Sequence, residues 1–260
     1  MVFLPVQSLM LALATPLANH GVAINHFNLG ARALEPLGGG VPLRILPLGA
    51  SITYGQGSTD ANGYREHLRS FVVAAGNPVN MVGSRKSGSM PDNEVEGWPG
   101  KRIDEVLVEA KKITPKTKPN VVLINAGTND ALQNYRISGV SSRMENLITE
   151  LYRMSPRATV VLSTLIMNRK ADIESRVLDI NAQYRQLVVR LRDQGKRIVL
   201  ADMHGDNGLF WTDMVDDTHP NDVGYQKMAN IWFEALISAS DDGFLEGPEF
   251  VSGLQDNFGA

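Results

Sequence analysis

At 260 residues and 43% hydrophobic content, the chain can bury one substantial core and is short for two. Its 25 Lys and Arg against 28 Asp and Glu leave a formal charge of −3 with the signs interspersed, which removes the electrostatic case for nucleic acid. The absence of cysteine excludes disulfides, thiolate metal ligands and thiol nucleophiles, and no HExxH pair suggests zinc.

The first 31 residues carry no Lys, Arg, Asp or Glu. Within them SLMLALATPLA, residues 8–18, reads as the apolar core of a secretory signal with Ala12-Leu13-Ala14 as a cleavage pattern, although no basic stretch precedes it. An apolar arm packed on the domain fits the same composition. The run is too short, and too interrupted by Pro16, for a membrane span. No Asn-x-Ser/Thr acceptor supports secretion. EPLGGGVP, residues 35–42, reads as a linker. The expected organisation is an N-terminal segment and linker over 1–40, a domain over 41–240, and an acidic, turn-rich tail over 241–260 that wraps the surface or is partly disordered.

Short apolar runs at 43–48, 79–82, 121–125, 159–165 and 198–201 have the length and Val, Ile and Leu content of strands buried on both faces. Helical stripes alternate with them. The first is Tyr64, Leu68, Phe71, Val72 and Ala75, with Asn62 as N-cap. Others centre on Val106 and Leu107, on Met144 and Leu147, on Ile180 and Tyr184 with Gly195 closing that helix, and on Met228 and Trp232. Strand and helix alternating five times predict a three-layer α/β/α sandwich around a five-stranded parallel sheet. In such sheets ligands bind beyond the carboxyl ends of the strands, so the chemistry is sought there.

The first run ends in Gly49-Ala50-Ser51. Ser51 fits a nucleophile, a phosphate-loop hydroxyl or a turn residue. The second is followed by a long loop containing GWPG, in which Gly100 lies at a helix start where free N–H groups can receive an anion. Any glycine-led helix has that property. The third ends in NAGTNDA, where Asn129 offers an amide donor beside Gly127, or a turn. The fifth leads to DDTHPN. There Asp216 can fold back on His219, direct Nδ1–H to the carboxylate and leave Nε2 as a base, with Pro220 at the start of the last helix. An ordinary N-capping loop has the same composition. Together the groups fill each role of nucleophilic acyl transfer once: Ser51, base His219, orienter Asp216, and oxyanion donors from Ser51 N–H, Gly100 N–H and the Asn129 amide.

On these residues the chain resembles the SGNH hydrolases, the GDSL-type esterase superfamily. GAS at 49–51, Gly100, GTND at 127–130 and DDTH at 216–219 follow that family's four blocks in order, across roughly residues 43–236. Ala50 stands where the family usually has aspartate, which changes how the serine loop is held. The G-x-S-x-G elbow of α/β-hydrolases is absent. The loop VGSRKSGSMPDNEVEGWPG and GYR at 63–65 further resemble carbohydrate esterase family 3, the acetylxylan esterases. The resemblance implies a monomeric esterase that cleaves small O-acyl esters of a polysaccharide or small molecule, without metal or organic cofactor; the N-terminal run implies secretion, or a cytoplasmic protein if that run is not a signal. Trp98 and Trp211, on the same edge, suit stacking on a sugar ring or anchoring of their loops. Asp130 reads as a brace for the serine or asparagine loop, and His67 and His204 as a surface and a loop residue. Competing readings are a flavodoxin-like binding protein, a silent carbohydrate-binding member of the same fold, and an esterase, lipase or acyltransferase for other acyl groups.

Overall fold

A computed structural model describes residues 35–256 and residue 258. The signal-like run at 8–18, His20 and His26 lie outside the described residues. In chain order the described elements are β1 (Leu43–Gly49), α1 (Ser51–Tyr54), α2 (Arg65–Ala74), β2 (Val79–Met81), β3 (Arg85–Lys86), β4 (Glu94–Gly97), α3 (Ile103–Thr117), β5 (Val121–Asn125), α4 (Thr128–Leu132), α5 (Val140–Met154), β6 (Thr159–Ser163), α6 (Ala171–Asp193), β7 (Ile198–Ala201) and α7 (Asp222–Asp241).

Strand alternation divides the core into two halves. Leu43 and Ile45 of β1, with Val121 and Leu123 of β5, pack on the side of Leu68 in α2 and Trp232 in α7. Leu46 and Leu48, with Val122 and Ile124, point the other way, against Val106 of α3, Leu147 of α5 and Tyr184 of α6. A strand whose successive side chains both meet helices must be apolar throughout, which is why the runs lack a polar face. The three-layer sandwich with parallel β2, β1, β5, β6 and β7 is as expected.

The strand count is higher than the five expected: the sheet has seven. β2 pairs only with the first half of β1, from Leu43↔Val79 to Ile45↔Met81, and β4 takes up the far end at Leu48↔Glu96 and Gly49↔Gly97. Between them the chain leaves the edge and returns through β3, antiparallel to β4. Gly83 lies so close to the Val95 backbone that a side chain would collide with it. The added strands carry no apolar run. Glu96, only 1% exposed, instead accepts from Ser84 N–H and Trp98 Nε1–H, each at 2.7 Å.

Asn62 does not cap α2, which starts three residues later at Arg65. Its buried amide donates to Asp60 and Glu66 at 2.9 Å and accepts from Met90 N–H at 3.0 Å, so it ties the loop around β3 to the helix entry. Gly195, at φ 76, does end the α6 region as expected. The tail wraps the amino ends of the strands. The Phe244 carbonyl accepts from Thr159 Oγ1 at 2.7 Å and the Glu246 carbonyl from Asn120 Nδ2 at 2.6 Å. Asp256 meets Arg44, a 2%-exposed residue of β1, at Nε (2.7 Å) and Nη2 (2.5 Å). Among the described residues no helix is long and apolar enough to cross a membrane.

Candidate active site

The site begins where β1 stops. Gly49 runs against the Asn125 carbonyl and the Thr53 hydroxyl with no room for a side chain, so the strand can turn at once into α1 with Ser51 as its first residue. The serine loop is held by backbone and by a distant tyrosine. Trp98 N–H donates to the Gly49 carbonyl at 2.9 Å, and Gly55 and Gln56 N–H donate to the Ser51 carbonyl at 3.1 and 3.0 Å. Tyr225 Oη donates to the Gln56 carbonyl at 2.6 Å. Ala50 is buried among these contacts, so the loop is fastened without the carboxylate that the resemblance would supply.

His219 reaches Ser51 from 168 residues away. Met214 and Pro220 form an antiparallel bridge, and Val215 N–H donates to the His219 carbonyl at 2.9 Å, so residues 215–219 are the tip of a tight hairpin. Within it Asp216 Oδ1 accepts from Thr218 and His219 N–H, each at 2.7 Å, and Oδ2 lies 2.8 Å from His219 Nδ1. A carboxylate can only accept, so Nδ1 carries the proton and a neutral ring presents Nε2 as an acceptor. Ser51 Oγ lies 3.0 Å from that nitrogen. Pro220 is not at the start of the last helix: α7 begins at Asp222, capped by Asn221, whose Oδ1 accepts from Gly224 N–H at 2.9 Å. Burial pushes the Asp216 carboxyl up, but hydrogen bonds from the His219 ring and the Thr218 and His219 amides outweigh it and hold the group below the usual carboxylate range.

The segments expected to supply the other two donors follow β4 and β5, whose ends flank Gly49 at Gly97 and Asn125. Gly100 sits in an exposed turn at φ 81, two residues before Arg102, the N-cap of α3, and so outside the helix start expected for it. Asn129, 8% exposed in the first turn of α4, spends one amide proton on the Lys101 carbonyl at 2.9 Å. Asp130, expected to brace the serine or asparagine loop, ties the asparagine segment to the start of α3 and to α5. It accepts from Ile103 N–H at 3.1 Å and pairs with Arg143. Burial pushes its carboxyl up, and Arg143 reverses this only in part.

The model of the GDSL-like lipase/acylhydrolase family matches residues 48–227. The chain belongs to this family. A multidomain esterase of Ruminococcus flavefaciens is 27% identical over 256 residues, which cover 84% of this chain and only 31% of that relative's length. Among solved structures, a Clostridium thermocellum family 3 carbohydrate esterase superposes with a TM-score of 0.69 at 24% identity, over 77% of this chain and 98% of that one. A family 3 carbohydrate esterase of Talaromyces cellulolyticus gives 0.67 at 22% identity, over 77% and 99%. At these identities the two superpositions speak for the fold.

In this GDSL-like acylhydrolase the two tryptophans differ. Trp98 is half-buried, bonds Glu96, and has the Arg85 guanidinium and the Lys101 ammonium 4.6 and 4.8 Å from its ring, so it anchors its loop. Trp211 is 65% exposed, beside Phe210 at 57% and Val215 at 54% on the segment that carries His219. His67 is half-buried on α2, and His204 Nε2 lies 2.6 Å from Glu174. Among the described residues no group of three or more His, Cys, Asp and Glu could hold a metal.

Sequence reasoning missed the end of β6. Arg169 Nη2 donates to the Trp211 and Met214 carbonyls at 2.6 and 2.9 Å, its N–H to the Asp217 carbonyl at 3.1 Å, and Asn168 Nδ2 to Thr218 Oγ1 at 3.1 Å. These bonds clamp the hairpin bearing Asp216 and His219. The strand-end rule that led to the other segments would have led here too.

Proposed function

We propose that this chain is a serine esterase that removes O-acetyl groups from a carbohydrate such as acetylated xylan. The observation that carries the reading is the hydrogen-bonded relay from Ser51 through His219 to Asp216. As Ser51 Oγ bonds to the ester carbonyl carbon, its proton passes to His219 Nε2, and Asp216 stabilises the imidazolium. The carbonyl oxygen takes up the electron pair among the Ser51 and Gly100 N–H groups and the second amide proton of Asn129. Collapse breaks the bond to the alcohol, which leaves with the proton from His219, and water repeats the cycle on the acyl-enzyme. The carbohydrate part is supported by the solved carbohydrate esterases of like fold, and export by the apolar run at 8–18.

The test compares p-nitrophenyl acetate, longer p-nitrophenyl esters and acetylated xylan, for the wild type and Ser51→Ala. Release of acetate from xylan that requires Ser51 supports the reading. A preference for long acyl chains overturns its acetyl part, and turnover that survives in Ser51→Ala overturns the whole.

Asn129→Ala is expected to lower kcat about 10²-fold, the usual cost of one oxyanion donor. The pH profile follows from Asp216. A carboxyl whose pKa is depressed on folding is ionised above its unfolded value and lost only as pH falls through the lower folded one. Asp216 thus stays charged, and keeps its hold on the His219 ring, as pH falls through the usual carboxylate range, so kcat/KM should lose nothing there through this group. In Asp216→Asn, kcat/KM should fall on the order of 10²-fold, because the ring loses the carboxylate that fixes its tautomer and orientation. A loss below about threefold would mean that the hairpin orients the ring without the carboxylate.

A further inference from the structure

Two neighbouring residues of α4 grip the loop that follows β4. Asn129 Nδ2 donates to the Lys101 carbonyl at 2.9 Å, and Asp130 Oδ2 accepts from Ile103 N–H at 3.1 Å. Lys101 is joined directly to Gly100. The two segments that offer oxyanion donors are therefore fixed to each other at two points, two residues apart on one side and adjacent on the other. Asp130 is fully buried. Its second oxygen pairs with Arg143 of α5, whose side chain is 12% exposed and also donates to the Tyr135 carbonyl at 3.1 Å and the Arg136 carbonyl at 3.3 Å. Asn134 and Arg136 flank that tyrosine at φ 47 and 48, a left-handed backbone that non-glycine residues keep only where their surroundings impose it. Arg143 thus holds both the carboxylate and the strained turn after α4.

We propose that Asp130, anchored by Arg143, is a positioning residue that sets the separation of the Gly100 and Asn129 donors around the forming oxyanion. The proposal rests on the esterase reading above. One bond alone, from Asn129 to Lys101, would leave the loop free to pivot about it. The second, from Ile103 to Asp130, removes the pivot. Oxyanion donors act only within a few tenths of an ångström of their working distance, and misplacement by about 1 Å costs on the order of 10²-fold. Asp130 itself lies too deep to touch substrate, and both its oxygens are in use. A buried ion pair is a weak source of stability, so a geometric role accounts for the charge better than a stabilising one.

The test uses two near-isosteric variants of the full chain. Asp130→Asn keeps an oxygen for Ile103 N–H but ends the pairing with Arg143, and Arg143→Gln ends it from the other side. In each, kcat on p-nitrophenyl acetate should fall about 10- to 10²-fold, with KM within about threefold of wild type. Inhibition by a phenylboronic acid, which forms a tetrahedral adduct on the serine, should weaken by the same factor as kcat/KM, while inhibition by acetate stays as it was. Arg143→Lys should recover part of the loss. Circular dichroism confirms folding at the assay temperature, and if Asp130→Asn does not fold, Arg143→Gln carries the test. Wild-type kcat and boronate affinity in a folded variant would overturn the proposal, as would a raised KM with kcat unchanged. Ser51→Ala in the same assay separates the two levels. Turnover that survives in it overturns the esterase reading and the proposal with it. Turnover that needs Ser51 but is indifferent to Asp130 and Arg143 overturns the positioning role alone.

Discussion

Ser51→Ala and His219→Ala are each expected to lower kcat on p-nitrophenyl acetate by about 10⁶-fold, with the double variant falling no further. The expectation follows from a relay in which each member is useless alone. Without Nε2 at 3.0 Å the hydroxyl keeps its proton, and without the hydroxyl the base has nothing to activate. Each variant should retain the rate that the oxyanion donors and substrate binding supply by themselves. Steady-state kinetics of the three proteins checks this, together with labelling by a fluorophosphonate. Ser51→Ala should not label at all, and His219→Ala should label slowly. Losses that multiply in the double variant would mean that the two residues act on separate steps.

The second large effect concerns stability. Arg65 is fully buried, and its guanidinium donates to the carbonyls of Ala61 (2.9 Å), Ser87 (3.0 Å), Asn93 (3.2 Å) and Tyr54 (3.4 Å). The end of α1, the loop at Ala61 and the loop that joins Ser87 to Asn93 therefore share one cation. Burial pushes its pKa down. Arg65→Met preserves the apolar stem and strands the carbonyls, which should cost about 3–5 kcal/mol. Arg65→Lys should recover only part, since a single ammonium cannot span oxygens set around a planar fork. Urea unfolding of the three proteins reads the difference. A loss in Arg65→Met below about 1 kcal/mol would mean that water reaches those oxygens once the side chain is gone.

What the sequence revealed depended on whether a signal was local. Val121 to Asn125 and Ile198 to Ala201 were legible as strands because burial on both faces leaves an unbroken apolar run. The stripe from Tyr225 to Leu236 was legible because α7 buries one side along its whole length. Ser51, Asp216 and His219 could be named because a hydroxyl, a base and a carboxylate beyond the carboxyl ends of one sheet have few joint uses. β3 and β4 were hidden because Val95 is their one buried hydrophobic residue, and pairing with β1 and a buried Glu96 leave no apolar run. Pro220 misled because a proline before Asn-Asp looks like a helix start, whereas here it closes the hairpin that holds His219. Arg169 and Arg143 left no trace, and Arg65 stood out only as the last letter of GYR, with no sign of the carbonyls it would hold. An arginine that will bond carbonyls far along the chain looks the same, letter by letter, as one that will face water.

Arg44 adds a consequence in time. It lies in the middle of the sheet, yet the carboxylate that neutralises it is 212 positions further on. Until residue 256 has been added, any sheet already assembled holds that guanidinium against the Thr117 and Lys118 carbonyls, without its carboxylate. Strand β1 is thus completed by a segment that is made much later.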